Sequence, residues 1–176
     1  MSKKEFTIEG KIIIVGDTHV IKPEDLPNDM IKAINEADLL IHIGDFISEK
    51  IIDFLISKKG KNFVGVYGNA DPLSIRNRLQ ERELIKVNGL KIGITHPALG
   101  GSEKFTLKRA LALFRNDDID VLVYGHTHDP YIDLENNPII INPGRGFIEN
   151  YSYDFGAFYA IIDITKGFHA KIEKIL

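Results

Sequence analysis

The sequence predicts an α/β protein in which two mixed β-sheets pack together with helices outside. Three observations carry this prediction. Short apolar runs alternate with helical patterns through the first half, which argues for parallel strands joined by right-handed crossovers. In the second half, Asn-Gly and Asn-Asn-Pro turns between apolar runs mark hairpins. The 176 residues are 44% hydrophobic and 27% charged, the balance of one soluble domain spanning 1–176 with a sizeable core.

Each element has a local reason. "KIIIVG" (11–16) is a short buried strand. "LPNDMIKAINEAD" places Met30, Ile31, Ile34 and Ala37 at helical spacing. "LLIHIGD" (39–45) is a second strand. "SEKIIDFLISKKG" is a helix with Ser48 as N-cap and Gly60 past its end. "NFVGVYG" is a third strand, so this half reads β-α-β-α-β. "LIKVNGLKIGITH" is two strands around Asn88-Gly89. "SEKFTLKRALALFRNDD" is a helix starting near Ser102, and "DVLVYGH" is a strand. "YIDLENNPIIINPG" reads as two strands around its turn, and "GAFYAIIDI" and "FHAKIEKI" are the last strands.

Composition narrows the function. A net charge of −3 gives no bulk attraction to nucleic acid or an anionic membrane. The chain has no cysteine, which excludes disulfides, thiol catalysis and thiolate metal sites. "MSKKEFTIEG" lacks the apolar run of a signal peptide, and no apolar stretch is long enough to span a bilayer. A cytoplasmic protein is expected.

The informative feature lies just past each apolar strand. "IIIVG" runs into Asp17-Thr18-His19, "LLIHIG" into Asp45, "FVGVYG" into Asn69-Ala70-Asp71, "KIGIT" into His96, and "VLVYG" into His126-Thr127-His128. In open α/β sheets, sites form at the carboxyl ends of strands. These strand ends therefore meet in one place. Asp, His and Asn without Cys suit divalent ions with mixed nitrogen and oxygen ligands. One ion has no use for seven such groups, whereas two do. Residues i and i+2 of an extended chain lie about 6.5 Å apart on one face. The metals of a dinuclear hydrolase lie about 3.5–4 Å apart, so His126 and His128 can each reach a different ion. Such a pair attracts a bridging hydroxide and an anionic phosphoester oxygen.

Each piece alone has a plainer meaning. Asp17-Thr18 suits a helix cap or turn, and Gly44-Asp45 and Gly68-Asn69 suit ordinary turns. His96 before Pro97 simply ends a strand. The coincidence outweighs them: four of the six histidines fall at these strand ends. His42, inside an apolar strand, reads as a satisfied core histidine supporting the site from behind. His169 reads as exposed. Arg76, Arg78 and Arg82 read as a solvated helix face. Arg145, after Asn142-Pro143-Gly144, is a phosphate-clamp candidate because a strand end again delivers it. "FIENYSYDFGAFY" reads as core and loop packing.

In this order, "GDTH", "GD", "GNAD", "THP" and "GHTH" resemble the calcineurin-like metallophosphoesterase superfamily. The short length and "INPG" resemble its small archaeal and bacterial phosphodiesterase branch. The resemblance runs from about Lys11 to Gly144 and extends toward the C-terminus. It implies a four-layer α-β-β-α sandwich. It implies that Asp17, His19, Asp45 and His128 hold one ion, and that Asp45, Asn69, His96 and His126 hold the other, with Asp45 bridging. Manganese is the family's typical metal, with iron, nickel, zinc or magnesium as alternatives.

Two positions depart from the family pattern. Where many members carry a histidine that aids leaving-group departure, this chain has Ala70. Asp71, expected at the substrate, is either a replacement acid or a turn former before Pro72. Where the branch often reads "HGH", the chain has His96-Pro97-Ala98. The reading is a metal-dependent phosphodiesterase with a phosphoester substrate. Neither stable nucleic-acid binding nor membrane association is expected, and homo-oligomer formation stays open. The rival is an interaction scaffold resembling the retromer subunit of the same superfamily. Loss of metal ligands would favour that rival.

Overall fold

The computed structural model describes residues 4–97, 102–148 and 156–175. Its elements are β1 (Lys4–Phe6), β2 (Lys11–Val15), α1 (Asn28–Glu36), β3 (Leu39–His42), α2 (Glu49–Lys59), β4 (Phe63–Gly65), α3 (Leu73–Arg76), β5 (Arg82–Val87), β6 (Leu90–Thr95), α4 (Thr106–Leu113), β7 (Val121–Tyr124), β8 (Tyr131–Asp133), β9 (Ile139–Asn142), β10 (Ala157–Asp163) and β11 (His169–Ile175).

One sheet has the order β11-β10-β2-β3-β4 and the other β1-β5-β6-β7-β9-β8. In the first, β2, β3 and β4 are parallel, and β10 closes antiparallel on β2. In the second, β6, β7 and β9 are parallel, and β5–β6 and β8–β9 are the expected hairpins. At the first hairpin turn, Asn88 and Gly89 have φ of 47° and 93°, the left-handed pair a two-residue turn needs.

Period-two alternation sorts the strand side chains into layers. Ile12, Ile14, Leu39 and Ile41 face Ile92, Ile94, Val121 and Val123 between the sheets. Ile13, Val15 and Leu40 point the other way, onto Met30 and Ile34 of α1 and Ile51, Ile52 and Leu55 of α2. On the far side, Leu122, Tyr124 and Ile140 pack against Ala110 and Phe114 at α4. Three apolar interfaces thus separate four layers, α-β-β-α, as expected. Fully burying one such aliphatic side chain stabilises the fold by about 1.5–3 kcal/mol. The cap of α2 is also as expected: the Ser48 side chain accepts from Lys50 N–H, and Gly60 terminates the helix at φ 53°.

Several elements differ from the expectation. β3 stops at His42 and β4 at Gly65, because the chain turns out of the ladder before each candidate ligand. The helix expected from Ser102 begins as a 3-10 turn at Glu103–Phe105 and becomes α-helical only over Thr106–Leu113. β1 and α3 were not expected. β1 is a charged edge strand whose parallel partner, β5, lies some eighty residues away, with Lys4 opposite Ile85. The α3 helix is four residues long, too short for periodicity.

The three arginines do not share a solvated helix face. Arg76 donates to the carbonyls of Asn69 and Asp71, Arg78 pairs with Glu49 and Asp53, and Arg82 pairs with Asp117 from β5. His169 is exposed, as expected. Among the described residues no helix is long and apolar enough to cross a membrane.

Candidate metal centre

The parallel strands β2, β3, β4, β6 and β7 end along one edge of the sandwich, and their loops are tied to each other there. Asp17 N–H donates to Gly44 O at 2.9 Å, His19 N–H to Asp45 O at 3.2 Å and Gly146 N–H to Asp17 O at 3.1 Å. Arg145 N–H donates to His128 O at 3.2 Å, so the "INPG" return is stitched to the "GHTH" loop. Asp17, His19, Asp45, His126 and His128 all have positive φ, of 46°, 45°, 57°, 88° and 60°. Positive φ within a few residues of each strand end marks a sharp turn of the chain there.

The structure brings all seven predicted ligands together. One ligand atom each from Asp17, His19, Asp45 and His128 lies within 4.8 Å of the others. Asp17 Oδ1 is 3.3 Å from His128 Nε2, 3.8 Å from His96 Nε2 and 4.0 Å from His19 Nε2. Asp45 Oδ2 is 3.3 Å from His19 Nε2 and 3.5 Å from His96 Nε2, so this carboxylate faces both predicted groups. Asn69 Oδ1 is the meeting point of the second group, 3.1 Å from His96 Nε2 and 3.0 Å from His126 Nδ1.

The donor chemistry fits a cation. Asp17 Oδ1 and His19 Nε2 are buried, and neither makes a hydrogen bond of acceptable geometry among the described residues. His96 Nδ1 lies 2.8 Å from the Ile43 carbonyl, which only accepts, so this nitrogen carries the ring proton. Neutral His96 then turns the Nε2 lone pair toward the oxygen of Asn69. Two facing lone pairs need a proton or a cation between them. A backbone carbonyl fixing the far nitrogen of an imidazole is the usual support of a metal-binding histidine.

Electrostatics differentiate the cluster. Burial raises the Asp45 carboxyl, but contact with His19, the nearby His96 imidazole and the Ala70 N–H at 2.7 Å together bring it below its ordinary value. Burial, reinforced by His96, lowers the His126 imidazole. The Asp17 carboxylate, 3.3 Å from Nε2, raises His128. Close approach of the loops requires small residues. A Cβ on Gly125 would stand 2.9 Å from His96 Nδ1 and 3.0 Å from Asp17 Oδ2, and one on Gly68 would overlap the Asp45 carboxylate.

The two predicted substrate residues are placed differently. Arg145 lies beside the cluster with its guanidinium 5.4 Å from the Phe147 ring and Nε 3.4 Å from Gly156 O, and it is only 8% exposed. Asp71 is 3% exposed, and both of its carboxylate oxygens accept backbone N–H bonds. Ala70 is exposed next to Asn69. Ala98 lies outside the described residues.

His42 is the satisfied core histidine expected. Gly44 N–H donates to its Nδ1 at 3.2 Å, leaving the proton on Nε2, 3.2 Å from Thr18 Oγ1. Its ring stacks on Phe46 at 3.6 Å, and burial pulls it well below the ordinary histidine range. Two contributors escaped the sequence reading. Phe147 packs edge to face on both His19 and His128, at 5.4 and 5.7 Å. It sits in the aromatic run read as packing, and its signal was its place just past the strand end that delivers Arg145. The buried Asn142 donates to Thr127 Oγ1 at 3.0 Å and steadies the loop between His126 and His128.

Two sheets between helices, with carboxylates and imidazoles gathered at adjoining strand ends, define a phosphoesterase-like protein with a metal-compatible centre. The chain belongs to the calcineurin-like phosphoesterase superfamily, whose domain model matches residues 11–167. It is 34% identical to a probable metallophosphoesterase of Methanocaldococcus jannaschii over 142 residues, covering 79% of this chain and 70% of that protein. A phosphodiesterase of the same organism is 29% identical over 150 residues, 77% of this chain and 83% of that protein. Vps29 of Chaetomium thermophilum superposes with a TM-score of 0.70 at 16% identity, over 94% of this chain and 96% of that one, a likeness of fold alone.

Proposed function

We propose that this protein is a metal-dependent phosphodiesterase that hydrolyses phosphodiester bonds at a dinuclear centre. The observation that carries the reading is the meeting of all seven candidate ligands at one edge, with Asp45 facing both groups. Asp17, His19, Asp45 and His128 hold one divalent ion, and Asp45, Asn69, His96 and His126 the other. Manganese is the first choice, with iron, nickel, zinc or magnesium as alternatives. Bound there, the ions would supply a hydroxide nucleophile near neutral pH and neutralise charge on the phosphoryl oxygens. The chain itself orients the ligands: Ile43 O fixes the His96 tautomer, Ala70 N–H holds one Asp45 oxygen, and Phe147 packs the His19 and His128 rings in place. Arg145 adds fixed positive charge beside His128 for the anionic substrate.

The rival is a Vps29-like interaction scaffold, which shares this fold. The intact ligand set supports the enzyme. The test is metal analysis joined to a screen of phosphodiesters and monoesters under several divalent ions. Metal-dependent cleavage of diesters, lost in Asp17→Asn, supports the reading. A metal-loaded chain that cleaves neither class supports the scaffold.

A further inference from the structure

Asp71 is the buried carboxylate that the proposed chemistry leaves without a role. Its Oδ2 accepts from Asp45 N–H at 3.0 Å and Gly68 N–H at 2.8 Å, and its Oδ1 accepts from Ile47 N–H at 2.8 Å. The loop it reaches is unusual. Gly44, Asp45 and Ile47 have φ of 104°, 57° and 58°. Backbone N–H groups turned inward by such a bend make a concave nest, a natural seat for an anion. Here the anion is a side chain from the next loop. The Asn69–Asp71 segment is held in turn from outside, since Arg76 donates to Asp71 O at 2.8 Å and to Asn69 O at 2.7 Å. One carboxylate therefore ties the backbone of Asp45 to that of Gly68, next to Asn69. These are the loops that carry the shared carboxylate and the meeting-point carboxamide of the candidate centre.

We propose that Asp71 is a positioning residue: its carboxylate fills the nest after β3 and sets the spacing between Asp45 and Asn69 on which metal binding depends. The proposal rests on the metal-centre reading above. It assigns Asp71 no contact with substrate, because both oxygens are already engaged with backbone donors. A carboxylate is required chemically. It accepts at both ends, whereas a carboxamide presents an NH2 at one end, facing either Ile47 N–H or the pair from Asp45 and Gly68. Asp71→Asn keeps the shape and must break at least one of the three bonds.

The experiment uses Mn2+ as the probe, with calorimetric titration of chelator-treated wild type, Asp71→Asn and Asp71→Ala. It adds amide exchange on the metal-free proteins and steady-state kinetics on an aryl phosphodiester at saturating Mn2+. The expected result is Mn2+ affinity about 10- to 100-fold weaker in Asp71→Asn, the range for groups that orient ligands from behind. Faster exchange at Asp45, Ile47 and Gly68 should accompany it, with KM unchanged once Mn2+ saturates. Unchanged Mn2+ affinity with a raised KM overturns the proposal and returns Asp71 to the substrate. Unchanged affinity and exchange overturn it outright. Should both variants fail to fold, wild-type exchange decides: amides of Asp45, Ile47 and Gly68 as labile as open loops overturn the nest. Wild type that takes up no Mn2+ removes the metal reading itself, an outcome distinct from variants that bind as wild type does.

Discussion

His42 couples the stability of the sandwich to pH, and the coupling has a calculable sign and size. The ring is fully buried, accepts from Gly44 N–H on Nδ1 and holds its proton on Nε2 toward Thr18. Burial comes first among the causes that pull its folded pKa well below 6.5, with His96 and His19 adding to it against Asp45. The unfolded chain therefore takes up this proton first on acidification. Stability is fully present above the unfolded value and is lost as pH falls below it toward the folded one. The loss has a limiting slope of about 1.4 kcal/mol per pH unit. His42→Asn removes the titration while its carboxamide oxygen can still accept from Gly44. It gives up the contact with Thr18, worth about 0.5–1.5 kcal/mol. It also gives up the ring stack on Phe46, worth about 0.5–1.5 kcal/mol. The variant should thus be about 1–3 kcal/mol less stable at pH 8. The gap should shrink by about 1.4 kcal/mol one unit below the histidine reference value. Urea unfolding of chelator-treated protein between pH 8 and pH 5 measures both curves. A gap that stays constant or widens on acidification would refute the assignment of His42 as a neutral, buried hydrogen-bonding link.

Three further outcomes are expected. Asp45→Asn should weaken metal uptake and hydrolysis together by more than about 100-fold, since even groups behind the ligands are worth 10–100-fold; a variant with full metal content and full turnover removes the bridging role. Gly125→Ala should retain the circular dichroism of wild type and lose Mn2+ affinity, because its new methyl group meets His96 Nδ1 and Asp17 Oδ2 as well as the movable end of the Ile43 side chain; calorimetry alongside the spectrum checks this. Ala70→His should flatten the dependence of rate on leaving-group acidity across a series of aryl phosphodiesters, because wild type offers no imidazole there; equal slopes in both proteins would show that a missing acid does not limit the rate.

The layers and the meeting of the candidate side chains were legible in the sequence because both rest on short-range patterns. Alternation in "KIIIV" splits Ile12 and Ile14 from Ile13 and Val15, and that split alone separates two of the three cores. Their convergence was legible because each candidate comes within a few residues of its strand's end, and parallel topology does the rest. β1 was not legible, since "KEF" has no apolar alternation and its partner is set by tertiary pairing. The place of Asp71 was not legible either. Sequence shows a carboxylate near the site, but not that two N–H groups from the end of β3 and one from its own loop after β4 already surround it. The same holds for Phe147, whose contacts with His19 and His128 depend on how the chain returns after Asn142.

Backbone strain explains why those details escape a sequence pattern. Asp17, His19, Asp45, His126 and His128 adopt positive φ, a region that non-glycine residues avoid at a cost of about 1–2 kcal/mol each. Together this is on the order of 5–10 kcal/mol, comparable to the whole net stability of a typical domain. Aspartate and histidine enter this region more readily than most non-glycine residues, but no local pattern in the chain places them there. The conformation persists because independent contacts over-determine it. Gly44 O and Asp45 O accept from the Asp17 and His19 amides, Asp71 holds the Asp45 amide, and Asp17 Oδ2 holds the His126 amide. Each tie runs between different strand ends, so a turn at one strand relaxes only if its neighbour also gives way. The centre is therefore built as a unit: its geometry belongs to the joined edge of two sheets, and no single motif in the chain contains it.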